Sequence, residues 1–218
     1  MAKRRRVAPP PKPVQVPRKR DQPQPLWRRQ RPLGAAVVVL AAAVAGLVVL
    51  GQRNSGGGVS PKATATVAAA MRLAGCRFKT YPNLGQDHLS DLRQQVTYNS
   101  FPPTSGPHYV RPAPWNIYTD PINQKIGVHN LEHGGIVIQY GSKVPSSKVT
   151  QLTTFYQQDP DGLLVAPLPA LGNKIALTAW RRLALCKSFV QNAYAEFVHA
   201  FRFKGPESLP RDALKPGA

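Results

Sequence analysis

"VHNLEHGGIVIQY", residues 128–140, is where this sequence passes from one kind of structure to another. Its second half, "GIVIQY", is short and β-branched and predicts a strand. The paired Gly134 and Gly135 stand where glycine commonly closes a helical turn, so residues 128–133 are read as that turn. Downstream, residues 145–158 offer Ser146 or Ser147 as an N-cap, then Val149, Leu152, Phe155 and Tyr156 at helical spacing. "LLVAP" (163–167) and "KIALTAW" (174–180) read as two further strands. "CKSFVQNAYAEFVHAFR" (186–202) then sets Phe189, Ala193, Phe197, Val198 and Phe201 along one helical face. The order β-α-β-β-α predicts an α+β domain of two layers, a small sheet with helices on one face. No internal repeat and no heptad run appears.

Upstream, "KATATVAAAMRLAGC" (62–76) predicts a short alanine-rich helix ended by Gly75. Residues 78–126 are dense in Pro, Gly, Asn and Asp, which predicts ordered loop with short strands. Long loops of that kind inside a compact domain tend to carry function.

The N-terminal quarter is of another character. Residues 1–31 hold eleven Lys and Arg against the single acid Asp21, with seven prolines, and have too little to bury to repay the entropy of ordering. Residues 33–51, "LGAAVVVLAAAVAGLVVLG", carry no charge, and as a helix they would span roughly 28 Å, close to the hydrocarbon thickness of a bilayer. Their length exceeds the apolar core of a secretory signal, so the segment reads as an uncleaved anchor rather than a leader. The basic cluster before it predicts a cytoplasmic N-terminus and a single-pass topology, with the rest of the chain extracytoplasmic. The expected organisation is a tail over 1–32, a transmembrane helix over 33–51, a flexible spacer over 52–66, an α+β domain over 67–207 and a C-terminal tail over 208–218.

This topology changes the meaning of the formal charge of +19. From residue 60 onward seventeen basic residues face nine acidic ones, a difference of +8, so much of the excess lies in the tail. It is better explained by attraction to anionic membrane lipid than by nucleic acid as partner. The two cysteines, Cys76 and Cys186, both fall on the expected outer side, where an oxidising milieu favours a disulfide. Such a bridge would close a loop of about 110 residues and contribute roughly 4 to 5 kcal/mol in the chain-entropy description.

The chemistry, if there is any, gathers around the opening stretch. In a helical turn His129 and His133 lie on one face about 6 Å apart at Cβ, within reach of one ion, whereas in a strand roughly 13 Å would separate them. Glu132 beside them is placed to be a ligand, a general base, or a partner that fixes an imidazole tautomer. The spacing is not the H-E-x-x-H of zinc proteases. A structural alternative stands beside the metal reading: both imidazoles hydrogen-bond backbone carbonyls in a buried turn and Glu132 pairs with an arginine.

"YNSFPPTSGPH" (98–108) presents His108 on a proline-stiffened loop, and His88 in "GQDHL" can join it. Imidazoles suit zinc, copper, nickel or iron, and outside the membrane copper or zinc are the natural cofactors. Ser105, close to His108, raises a hydrolase idea, but the Gly-x-Ser-x-Gly elbow is missing. His199 is assigned to packing or surface. No P-loop, Rossmann glycine pattern or Cys-x-x-Cys occurs.

These stretches resemble the Domain of Unknown Function 3105 family of bacterial, often membrane-anchored, proteins. The resemblance rests on "YNSFPPTSGPH" (98–108), "VHNLEHGGIVIQY" (128–140), "ALTAW" (176–180), "FRFKGPE" (201–207) and the two cysteines, and it covers about residues 70 to 207. One departure is Asn116 after Trp115, where the family often has Gly; Asn tolerates the left-handed backbone that such a turn requires. The family carries no established activity. The resemblance implies that His108, His129, Glu132, His133 and Glu207 share one site.

Three functional classes follow. The first is a membrane-anchored domain that binds copper or zinc through its histidines and Glu132. The second is a non-catalytic module for an envelope protein partner, with the same residues bracing the loop. The third is a metal-dependent hydrolase with Glu132 as general base, which requires a cavity beside that side chain.

Overall fold

A computed structural model describes residues 58–218 of the chain. The expected basic tail and transmembrane segment lie outside the described residues, and among those described no helix is long and apolar enough to cross a membrane.

The first helix, α1 (Pro61–Leu73), starts where the Ser60 side chain accepts from the Ala63 amide and a proline occupies the first turn. Gly75, at φ 72°, turns the chain into strand β1 (Arg77–Thr80). The central sheet is completed by β4 (Ile136–Tyr140), β5 (Leu163–Pro167), β6 (Ile175–Ala179) and β7 (Arg182–Cys186). Its spatial order is β1-β7-β6-β4-β5. The β4–β5 pair is parallel, with Ile136 opposite Leu163; the other three pairs are antiparallel. Two strands, β1 and β7, extend the sheet beyond the β-α-β-β-α order read from sequence.

Three local expectations change. Cys186 ends β7 instead of opening a helix, and the last long helix, α4 (Gln191–Phe201), begins five residues later. The helix after β4, α3 (Ser146–Gln158), is capped by Pro145, with no side-chain cap from Ser146 or Ser147: the Pro145 carbonyl already accepts from the Lys148 and Val149 amides. Asn116 has no left-handed backbone. Its carbonyl accepts from the Val165 amide (3.0 Å) and the Tyr118 amide donates to the Val165 carbonyl (2.8 Å), so the segment is held extended as a parallel bridge of Ile117 to Val165.

Alternation along the strands sorts the core into two faces. Ile136, Ile138, Val165, Leu177 and Ala184 turn to one side and pack with Met71 of α1, Leu152 and Phe155 of α3, and Tyr194, Phe197 and Phe201 of α4. Val137, Leu164 and Ala166 turn to the other side, where Trp115, Trp180 and two residues of helix α2 (Gln124–Glu132), Val128 and Leu131, cover them. Helices therefore occupy both faces rather than one. β4 and β5 are each buried at four successive positions, apolar in all but Gln139, as a strand covered on both faces is. A disulfide joins Cys76 to Cys186 and ties the end of α1 to β7 beside the Arg77–Leu185 pair.

The long loop crosses the second face. Within it β2 (His88–Leu89) and β3 (His108–Tyr109) form a two-residue parallel ribbon with His88 opposite His108. The chain's last residues fold back as well: Leu214 is fully buried, and its carbonyl accepts from the Gly162 amide.

Candidate metal centre

α2 carries the centre. Asn123 caps its start by accepting from the Lys125 amide (3.0 Å), and His133 ends it, followed by Gly134 at φ 87°. One turn of this helix places His129 Nε2 and His133 Nε2 3.2 Å apart.

The ribbon faces that turn. His129 Nδ1 lies 2.7 Å from the Tyr109 carbonyl, which docks α2 on β3, and His108 Nδ1 lies 2.8 Å from the Gly106 carbonyl. His108 Nε2 and His88 Nε2 then converge on one oxygen, Glu132 Oε2, at 3.0 and 3.1 Å. The other oxygen, Oε1, accepts from the Gln86 side-chain Nε2 at 3.0 Å. Glu132 and His108 have no exposed side-chain surface, whereas His88 is 38% exposed and forms the solvent side of the cluster.

Tautomers follow from the partners. A carbonyl oxygen only accepts, so Nδ1 carries the hydrogen in both His108 and His129. In its neutral form such a ring turns an Nε2 lone pair inward. For His108 that lone pair meets a carboxylate oxygen, and two acceptors 3.0 Å apart require a proton or a cation between them. Burial holds His129 below its ordinary range, against the opposing pull of the Tyr109 carbonyl, and burial together with the neighbouring His129 does the same for His133. Burial alone would raise the Glu132 carboxyl, but the bonds from Gln86, His108 and His88 outweigh it and leave it lowered. Around Glu132 the shifts thus favour neutral His129 and His133 and an ionised carboxylate, the protonation states in which these groups ligate metal.

The ligating atoms of His88, His108, His129 and Glu132 all lie within 4.8 Å of one another. Tetrahedral coordination with bonds of about 2.0 to 2.1 Å spaces ligand atoms roughly 3.3 Å apart, close to the Glu132 to histidine distances. His133 falls outside that set and groups instead with Glu132 and Glu207. Of the remaining candidates, Ser105 is fully buried and its Oγ accepts from the Leu84 amide at 3.2 Å, a brace within the loop. His199 is exposed on α4 and belongs to neither group. The arginine partner expected for Glu132 under the structural alternative is not there: among the described residues the side chains paired with its carboxylate are Gln86, His88 and His108.

The C-terminal stretch 201–207 owes its place to backbone contact with the end of α2. The Phe203 amide donates to the Gly134 carbonyl (2.7 Å) and the Glu207 amide to the Glu132 carbonyl (3.1 Å). The approach is so close at Gly205 that a Cβ there would lie 2.0 Å from the Glu132 carbonyl oxygen. Glu207 reaches the site through this contact.

Gln86 was not singled out by the sequence reading, nor were the two carbonyls that set the tautomers. Gln86 precedes His88 by two positions, so an extended chain puts both on one side; that spacing was the available signal. The carbonyls left no trace in the residue identities.

Among curated proteins and among solved structures nothing matches this chain. A family model described as Protein of unknown function (DUF3105) matches residues 90–213, which include His108, the turn at 129–133 and Glu207, while Gln86 and His88 lie just before the matched span. That match covers more than half of the sequence, and the chain belongs to this family.

Proposed function

We propose that this protein is a membrane-anchored, extracytoplasmic binder of a first-row transition metal, zinc or copper, held by His88, His108, His129 and Glu132. One observation carries the reading: His108 and His129 each give their Nδ1 hydrogen to a backbone carbonyl and turn Nε2 into a space shared with a buried carboxylate. Histidines that ligate metal are oriented by such a second bond on the opposite ring nitrogen. Three nitrogens and one oxygen suit zinc or copper, and the exposed edge of His88 gives an ion a way in.

The test is metal content by mass spectrometry of the untagged full-length chain, with Glu132→Gln and His129→Ala variants beside it. Near-stoichiometric zinc or copper that falls away in both variants is expected. A chain that takes up neither, even from excess metal, would end this reading.

The same two carbonyl bonds favour a second reading, an envelope interaction module in which the histidines only pin the ribbon to α2. The two readings separate on heating. A ligand at a hundred times its Kd stabilises the fold by about 2.7 kcal/mol, so zinc or copper should raise Tm under the first reading and leave it unchanged under the second. The hydrolase reading draws no support from Glu132, whose two oxygens are both engaged and whose side chain is fully buried.

The membrane placement rests on the apolar run 33–51 and the basic cluster before it, and the Cys76–Cys186 bridge fits an oxidising compartment. Protease added outside intact cells should cut near Asn54 and spare the first thirty residues. Loss of the basic tail instead would reverse the orientation.

A further inference from the structure

We infer that the centre holds two metal ions, bridged by Glu132, with His133 and Glu207 completing the outer position. The inference rests on the metal-binding reading above and extends it. Four ligating atoms, from His88, His108, His129 and Glu132, make one compact group, and three, from Glu132, His133 and Glu207, make another. Glu132 is the residue common to both.

A carboxylate has two oxygens with about four lone-pair sites, enough to serve two cations while Oε1 keeps the Gln86 bond. Glu132 Oε2 draws two imidazole nitrogens, and His129 and His133, one from each group, bring their Nε2 atoms to 3.2 Å. Since the His129 Nδ1 hydrogen is held by the Tyr109 carbonyl, its Nε2 is an acceptor, and so His133 must donate there or both lone pairs must be met by cations. Two ions sharing a carboxylate sit about 3.5 to 4 Å apart, a separation that lets adjacent imidazoles each bind their own ion.

The two positions differ in kind. The inner one has three imidazoles, two of them buried; the outer one has one imidazole and two carboxylates, of which Glu207 is exposed. The inner ion should therefore bind first and exchange more slowly, the outer one second and faster. The loop at 203–207, held by the close passage of Gly205 over the end of α2, delivers the outer carboxylate.

The experiment titrates the metal-free, untagged full-length protein with zinc against a chromophoric chelator, then repeats the loading with copper(II) and records electron paramagnetic resonance. Two zinc ions per chain in separate steps are expected, falling to one in Glu207→Gln with the first step retained. His133→Ala should do the same, and thermal melts of both variants verify folding. Two equivalents of copper should give a magnetically coupled pair, with a half-field transition that Glu207→Gln abolishes. A single zinc in the unmodified chain, or two in Glu207→Gln, would overturn the two-ion centre and leave the one-ion reading standing. Two coppers without coupling would overturn the shared Glu132. No zinc and no copper at all would overturn both readings together.

Discussion

Glu132 is a carboxylate with no surface open to solvent, held by three side-chain neighbours. Removing one of them isolates that dependence. Gln86→Leu leaves Oε1 buried without its donor, which should cost about 1 to 3 kcal/mol in the metal-free protein, read as a shift in urea midpoint. It should also weaken the proposed metal binding by about 10- to 100-fold, as loss of an orienting partner does. Unchanged affinity would show that the ligands alone fix the carboxylate. Acid acts on the same residues in a single direction. His129 and His133 are held low by burial, and in Glu132 the bonds from Gln86 and the histidines outweigh the upward push of burial. In all three the unfolded chain takes up its proton at a higher pH than the folded chain. Stability of the metal-free protein should thus fall as pH drops below about 6.5, on the imidazole step, and again below about 4.5, on the carboxyl step. Urea midpoints followed from pH 8 downward test this, and His129→Ala should flatten the upper step; a midpoint constant across the upper range would refute it.

At the scale of elements, the junction between α2, β4 and the 203–207 loop packs backbone directly against backbone. A methyl group at Gly205 would meet the Glu132 carbonyl oxygen at 2.0 Å and the Gly134 amide nitrogen at 2.4 Å, both backbone atoms that cannot swing away. Gly205→Ala should therefore destabilise the fold by about 1 to 3 kcal/mol in urea unfolding, and an effect under about 0.5 kcal/mol would mean that the loop lifts off freely. This junction was half legible in the sequence. The helical turn, the glycine pair and the strand after them follow from local pattern, as do β5, β6 and the apolar face of α4. The strand β1 did not announce itself, because "RFKT" is short and mostly exposed and its partner β7 lies more than a hundred residues away. The opening of α4 was misplaced because Phe189 continues the apolar spacing of the helix it precedes. The ribbon of His88 and His108 has two residues per strand, too few for any periodicity, so the register that assembles the centre exists only in three dimensions.

For the whole molecule, the bridge between Cys76 and Cys186 spans 110 residues and encloses the entire sheet. Its reduction should remove about 4 to 5 kcal/mol of stability, measured as the difference in urea unfolding with and without reductant; a difference below about 1 kcal/mol would mean that the unfolded chain is already restrained by other contacts. The far edge of the sheet carries a different consequence. Along β5, the outward amide of Leu163 bonds the Pro160 carbonyl, that of Val165 bonds the Asn116 carbonyl, and Pro167 has no amide hydrogen to offer. A strand edge with free donors is a template on which a second chain can add itself, the first step toward fibrous aggregates. Residues 116–118 occupy that template in advance, so a second copy meeting this chain along β5 finds an edge with no donor left to give.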